Sequence, residues 1–70
     1  MNKNSKIILA KNIEMLRTSK NLTREALSLI LGFENSYISK VEKQKINITI
    51  ERLDKIASYF EVETYNLLKE

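Results

Sequence analysis

Apolar residues recur along this chain at helical spacing. Leu9, Ile13 and Leu16 fall at i, i+4 and i+7 and make one stripe of a helix predicted to run from about Ser5 to Ser19, with Lys11 and Glu14 on the far side. Residues 1–4 ahead of it are expected to fray. Asn21-Leu22-Thr23 interrupts the stripe. Thr23 is a good N-cap, because its hydroxyl accepts from the bare amides of the next turn, and Glu25 follows where the helix dipole favours an anion. The pattern predicts a second helix over 24–31, with Ala26, Leu27 and Ile30 inward. Gly32 stands just past its end, where the chain needs a positive φ. Glu34 or Asn35 can cap a third helix that ends near Lys43. After a connector over 45–48, Thr49 caps a fourth helix over 50–60, whose stripe is Ile50, Leu53, Ile56, Ala57 and Phe60. A turn precedes a short fifth helix over 64–69 carrying Leu67 and Leu68. The predicted fold class is all-α, a compact five-helix domain spanning residues 1–70.

Composition narrows what such a domain can do. With one Gly and no Pro in 70 residues there is little room for irregular loops or a Gly-rich phosphate loop. With no Cys and no His, disulfides, Cys/His zinc sites, the thiol nucleophile and the commonest general base are all excluded. The expectation is a protein that is not an enzyme and uses no metal or cofactor. A core of this size supplies only about 3–5 kcal/mol, which leaves a partner subunit as the support to expect. The apolar run from Ile7 to Ala10 is too short for a signal sequence or a membrane span, so a cytoplasmic protein with no membrane partner is expected. Asn21-Leu22-Thr23 and Asn47-Ile48-Thr49 fit the glycosylation pattern but read as caps.

Charge is distributed unevenly. Residues 1–45 carry nine Lys/Arg against four acids, a net +5, and residues 46–70 carry three against five, a net −2. A basic front and an acidic back suggest a polyanion on one side only.

Two short helices joined at Gly32 suggest a helix-turn-helix over about 23–43. The small Ser28 stands where the second helix crosses the third, and Ile38 and Val41 follow Gly32 in register to lock the third onto the second. On a helical wheel Asn35, Ser36, Ser39, Lys40 and Lys43 share an arc of about 140°, with Tyr37, Ile38 and Val41 opposite. That outer face carries amides, hydroxyls and ammoniums and no carboxylate. Such groups read base edges in the major groove of double-stranded DNA, so Asn35, Ser36, Ser39 and Lys40 are the candidate base contacts. Thr23 and Arg24 at the start of the second helix, and Lys43, Lys45 and Asn47 after the third, are candidate phosphate contacts. Tyr37 and Arg17 are counted with them. Glu42 borders the inward face of the third helix, where Arg17 can form a bidentate ion pair with it. Tyr59, Phe60, Tyr65 and Leu68 crowd residues 57–70 with more apolar surface than one small core needs. They are the candidate interface of a homodimer, though Phe60 serves equally well to close the monomer core.

Ile13-Glu14-Met15-Leu16-Arg17, Leu22 to Leu27, Gly32, Tyr37 to Glu42 and Ile56 to Val62 together resemble the Cro/C1-type helix-turn-helix regulators. Ser36-Tyr37-Ile38-Ser39, Glu42 and Asn47-Ile48-Thr49 are most similar to the controller proteins of restriction–modification systems; phage and plasmid repressors share most of these residues. The resemblance implies a five-helix lambda-repressor-like fold and a homodimer formed through the last helices on pseudo-palindromic operators. It implies base contacts from Asn35, Ser36, Ser39 and Lys40, phosphate contacts from Thr23, Arg24, Lys43 and Asn47, and the Arg17–Glu42 pair. The chain departs from relatives in having Arg24 for the usual Gln, Lys43-Gln44 for Arg-Gly or Asn-Gly, and Ile46 where controllers often carry Arg.

The expected function is a sequence-specific transcriptional regulator controlled through its own concentration, with no small-molecule ligand. A phage- or plasmid-type repressor and an antitoxin-like or anti-repressor interaction module on the same fold are the alternatives. RNA polymerase is a possible partner through Glu25 and Glu34, which also read as surface caps.

Overall fold

The computed structural model describes residues 3–70. Four α-helices follow one another: α1 (Lys3–Ser19), α2 (Arg24–Ile30), α3 (Tyr37–Glu42) and α4 (Ile50–Tyr59). A 3₁₀ turn, Thr64–Leu67, follows α4. No strand occurs among the described residues. Among the described residues the fold is all-helical with four α-helices, one fewer than expected. Thr64–Leu67 is a single turn, too short to sustain an α-helix. It is held instead by its neighbours, with the Thr64 hydroxyl donating to Asp54 Oδ1 at 2.6 Å. Asn12 Nδ2 on α1 donates to the carbonyls of Leu67 and Lys69, both at 2.9 Å.

Each element contributes to one core. Ile13, Leu27, Ile38, Leu53, Ile56 and Leu67 are fully buried, and burial of each such side chain is worth about 1.5–3 kcal/mol. Three sequence expectations shift by a residue or a turn. α1 starts at Lys3, so Lys3 and Asn4 are helical; the fraying expected of Met1 and Asn2 lies outside the described residues. α2 stops at Ile30, and its C-cap Leu31 turns into the core in place of Ile30, which is half exposed. Ile50 opens α4 and is exposed rather than part of the stripe, because no preceding turn packs over it.

The four helices end in the same way. After each, a residue with positive φ closes a pair of backbone bonds onto the last turn: Asn21 (58°), Gly32 (76°), Gln44 (62°) and Glu61 (59°). For Gln44 the pair is Gln44 N to Val41 O at 3.0 Å and Lys45 N to Lys40 O at 2.9 Å, the pattern that satisfies orphan carbonyls at a helix end. The chain therefore makes a tight turn after α3 with a glutamine in the left-handed conformation.

The starts of the helices are less uniform. Thr23 and Thr49 cap α2 and α4 as expected, accepting from Ala26 N and Arg52 N. Neither Glu34 nor Asn35 caps α3. Its N-cap is Ser36, whose side chain makes no capping bond. The cap comes from another helix: Ile38 N donates to Ser28 Oγ at 3.1 Å, and Ser28 Oγ donates to Arg24 O at 3.0 Å. Ser28 and Ile38 are both fully buried. The small residue at the crossing of α2 and α3 is thus also their polar link.

Candidate nucleic-acid interface

The late start of α3 leaves Asn35 and Ser36 outside the helix, in a turn closed by Tyr37 N donating to Glu34 O at 2.9 Å. The wheel placed them by helical phase, and the tight turn still brings them beside Ser39. Together with Thr23, Arg24, Glu25 and Arg17 they line one open cleft of about 480 Å³ between the start of α2 and the start of α3. Three of the candidate base contacts and three of the candidate phosphate contacts are therefore gathered on one concave face. Lys40, Lys43, Lys45 and Asn47 are exposed but lie outside the lining of the cleft. Glu25 adds a carboxylate that the α3 face alone does not have.

Glu42 organises the cleft from behind. Its side chain is 4% exposed, and Arg17 holds it bidentately, Nε to Oε2 at 2.8 Å and Nη2 to Oε1 at 3.2 Å. Arg17 Nη1 donates to Leu22 O at 2.7 Å, which ties α1 to the α1–α2 turn. The expected ion pair is present, and all three Arg17 nitrogens are engaged, two with Glu42 and one with Leu22 O. Arg24 Nε also donates to Glu42 Oε1, at 2.8 Å. That hydrogen bond, with the charge of Glu42 behind it, raises the Arg24 pKa above the ordinary arginine value. Arg24 therefore stands at the mouth of the cleft with one edge anchored and its side chain still 44% exposed.

Other expected site residues lie elsewhere. Tyr37, counted with the phosphate contacts, is a buried core residue. Its ring meets Phe33 edge to face at a centroid distance of 4.9 Å, and the Arg52 guanidinium lies 4.5 Å from its centroid. Glu34, one of the two acids considered for polymerase contact, is paired with Arg52 (Nη1–Oε1 2.8 Å). Hydrogen bonds from Arg52, then from the backbone, lower its pKa from 4.5 to about 2. Phe60 is buried in the monomer core and packs edge to face on Tyr59, so it is not free to form an interface. Tyr59 and Leu68 are half-buried against the core, whereas Tyr65 is 63% exposed. Sequence reasoning missed the Ser28 link, the Arg52 contacts and the grip of Asn12 on the C-terminal turn. All three join residues far apart in sequence and leave no local pattern.

Among the described residues no group of His, Cys, Asp or Glu could hold a metal ion, and no helix is long and apolar enough to cross a membrane. A helix-turn-helix family model matches residues 13–67. A hypothetical transcription factor of Neisseria meningitidis serogroup B (strain ATCC BAA-335 / MC58) is 33% identical over 61 residues, which cover 87% of this chain. The matched region is 58% of that relative, so the chain spans little more than half its length. Control protein C.SmaI of Serratia marcescens is 35% identical over 63 residues, 90% of this chain and 75% of the relative. The crystal structure of the hypothetical transcription factor NHTF from Neisseria superposes with a TM-score of 0.88 at 31% identity, covering 93% of this chain and 75% of that one. The restriction-modification controller protein C.AhdI from Aeromonas hydrophila superposes with a TM-score of 0.81 at 26% identity, covering 91% of this chain and 97% of that one. The match over most of the chain, on a structure with the expected helices flanking Gly32, places it: the chain belongs to the helix-turn-helix family, in its Cro/C1-type branch.

Proposed function

We propose that this chain is a sequence-specific DNA-binding transcriptional regulator, a restriction–modification controller protein that acts as a cytoplasmic homodimer on pseudo-palindromic operators. One observation carries the reading: hydroxyl, amide and guanidinium groups of Thr23, Arg24, Asn35, Ser36 and Ser39 line a single cleft built on a helix-turn-helix. Asn pairs with adenine N6 and N7, Ser serves several bases, and Arg suits phosphate. Lys40, exposed on α3, adds a donor for guanine, and Lys43, Lys45 and Asn47 extend the phosphate contacts past the end of α3. In the dimer, Tyr65 meets its counterpart beside Tyr59 and Leu68, and two copies of α3 reach half-sites about 34–36 Å apart. The names of C.SmaI and C.AhdI, both control proteins, support the narrower assignment.

Selection of bound sequences from a random duplex pool at near-physiological salt tests it. The expected product is an inverted repeat whose half-sites lie about one helical turn apart, with log K falling by about 0.9 per log unit of salt for each phosphate contact. Recovery of no motif, with a shallow salt slope, would turn the reading to a protein-interaction module on the same fold.

A further inference from the structure

Asn35 and Ser36 precede α3; the Ser36 carbonyl accepts from Lys40 N at 3.0 Å, which ties the backbone of Ser36 to the helix but not its side chain. The Ser36 side chain makes no capping bond, and the turn is closed by the single bond from Tyr37 N to Glu34 O. Their orientation therefore depends on what grips the residues to either side. Those residues converge on one side chain of α4. Arg52 donates to both oxygens of Glu34, Nη1 to Oε1 at 2.8 Å and Nη2 to Oε2 at 3.2 Å. The same guanidinium lies 4.6 Å from the ring centroid of Phe33 and 4.5 Å from that of Tyr37. Phe33, Glu34 and Tyr37 are thus fixed to Arg52, while Asn35 and Ser36 between them line the cleft.

We propose that Arg52 is a positioning residue for base recognition, holding the turn so that Asn35 and Ser36 face the DNA. The inference rests on the DNA-binding reading and deepens it. Only a planar fork can pair bidentately with a carboxylate while its faces stack on aromatic rings, so lysine cannot replace it. Both Nη groups are engaged with Glu34, so Arg52 acts through the turn rather than on phosphate. Its side chain is one-third exposed and that of Glu34 two-thirds, and water screens such a pair. Its main effect is therefore on local geometry, and its contribution to global stability is small.

The test measures the affinity of the full chain for its selected duplex and for a scrambled duplex, by fluorescence anisotropy at fixed salt. Wild type is compared with Arg52→Met, Arg52→Lys and Glu34→Gln. Arg52→Met removes a positive charge and Glu34→Gln removes a negative one. Both are expected to lower the ratio of selected to scrambled affinity by about tenfold, the scale of one lost base contact. Arg52→Lys keeps the charge and is expected to keep the loss. Adding Asn35→Ala to Arg52→Met is expected to lower the ratio much less than it does in wild type. If Arg52→Met weakens both duplexes equally, Glu34→Gln strengthens both equally and the ratio holds, the effect is net charge alone and the proposal falls. Glu34→Gln is close to isosteric and decides the matter even if Arg52→Met fails to fold. A wild-type chain that discriminates no duplex overturns the DNA-binding reading and this one with it, whereas a ratio preserved in the variants overturns this one alone.

Discussion

Replacing Ser28 with alanine tests whether a hydroxyl on α2 fixes the placement of α3. Two effects oppose each other. Alanine is the better helix former, which favours the variant by up to about 0.5 kcal/mol. Against this, Ile38 N, fully buried, loses its partner at 3.1 Å. A buried amide left without a partner costs about 1–3 kcal/mol. The bond from Ser28 to Arg24 O matters less, since a carbonyl inside a helix already has a ladder partner. The net expectation is a destabilisation of about 1–2 kcal/mol, which in a domain of this size lowers the melting midpoint by roughly 4–16 °C. Thermal and urea unfolding followed by circular dichroism at 222 nm measures it. Ser58→Ala on α4 is the control, because Ser58 is exposed and reports the propensity gain alone. A Ser28→Ala protein as stable as the Ser58→Ala protein would refute the reasoning and mean that another group caps α3.

Four further outcomes are expected. Arg17→Met removes two bonds to the buried Glu42 and one to Leu22 O, and is expected to cost about 2–3 kcal/mol in urea unfolding, while Arg24 still pairs with Glu42. Gln44→Gly relieves a left-handed residue and is expected to raise stability by about 1 kcal/mol; no gain would show that the turn is unstrained. The Glu34 pKa is depressed from 4.5 to about 2, so the pair with Arg52 stabilises the fold above pH 4.5 and that contribution is lost as pH falls towards 2. The stability difference between wild type and Glu34→Gln is therefore expected to shrink over that window, and a difference constant from pH 5 to 2 would count against the pair. With no His in the chain, DNA affinity is expected to stay flat from about pH 6 to 9, and a steep change near neutrality would count against these contacts.

Local chemistry was readable from the sequence, and long-range chemistry was not. Thr23 and Thr49 announce their helices because a cap needs only its own hydroxyl and the next three residues. Gly32 announces a positive φ for the same reason. The start of α3 was misplaced because Asn35 and Ser36 are both good cap formers, and the group that decides, Ser28, sits on α2, ten residues from the Ile38 amide it caps. Leu29-Ile30-Leu31 is an unbroken apolar run, so periodicity alone could not choose between Ile30 and Leu31 for the core. The Arg17–Glu42 pair was visible from its place at two facing helix edges. That Arg24 joins it was not, since Arg24 read equally well as a free phosphate contact. The site was thus legible as a set of residues. Its geometry depended on Glu42 and Arg52, whose partners come from other parts of the chain.

The grip of Asn12 on the carbonyls of Leu67 and Lys69 has a topological consequence. It lays the last described residues against α1, so that Glu70 lines a groove along that helix with Lys11, Asn12 and Met15. No residue of that groove lines the cleft between α2 and α3. α1 thus works as a strut between two faces: its middle holds the C-terminal turn through Asn12, and its last turn holds Glu42 behind the cleft through Arg17.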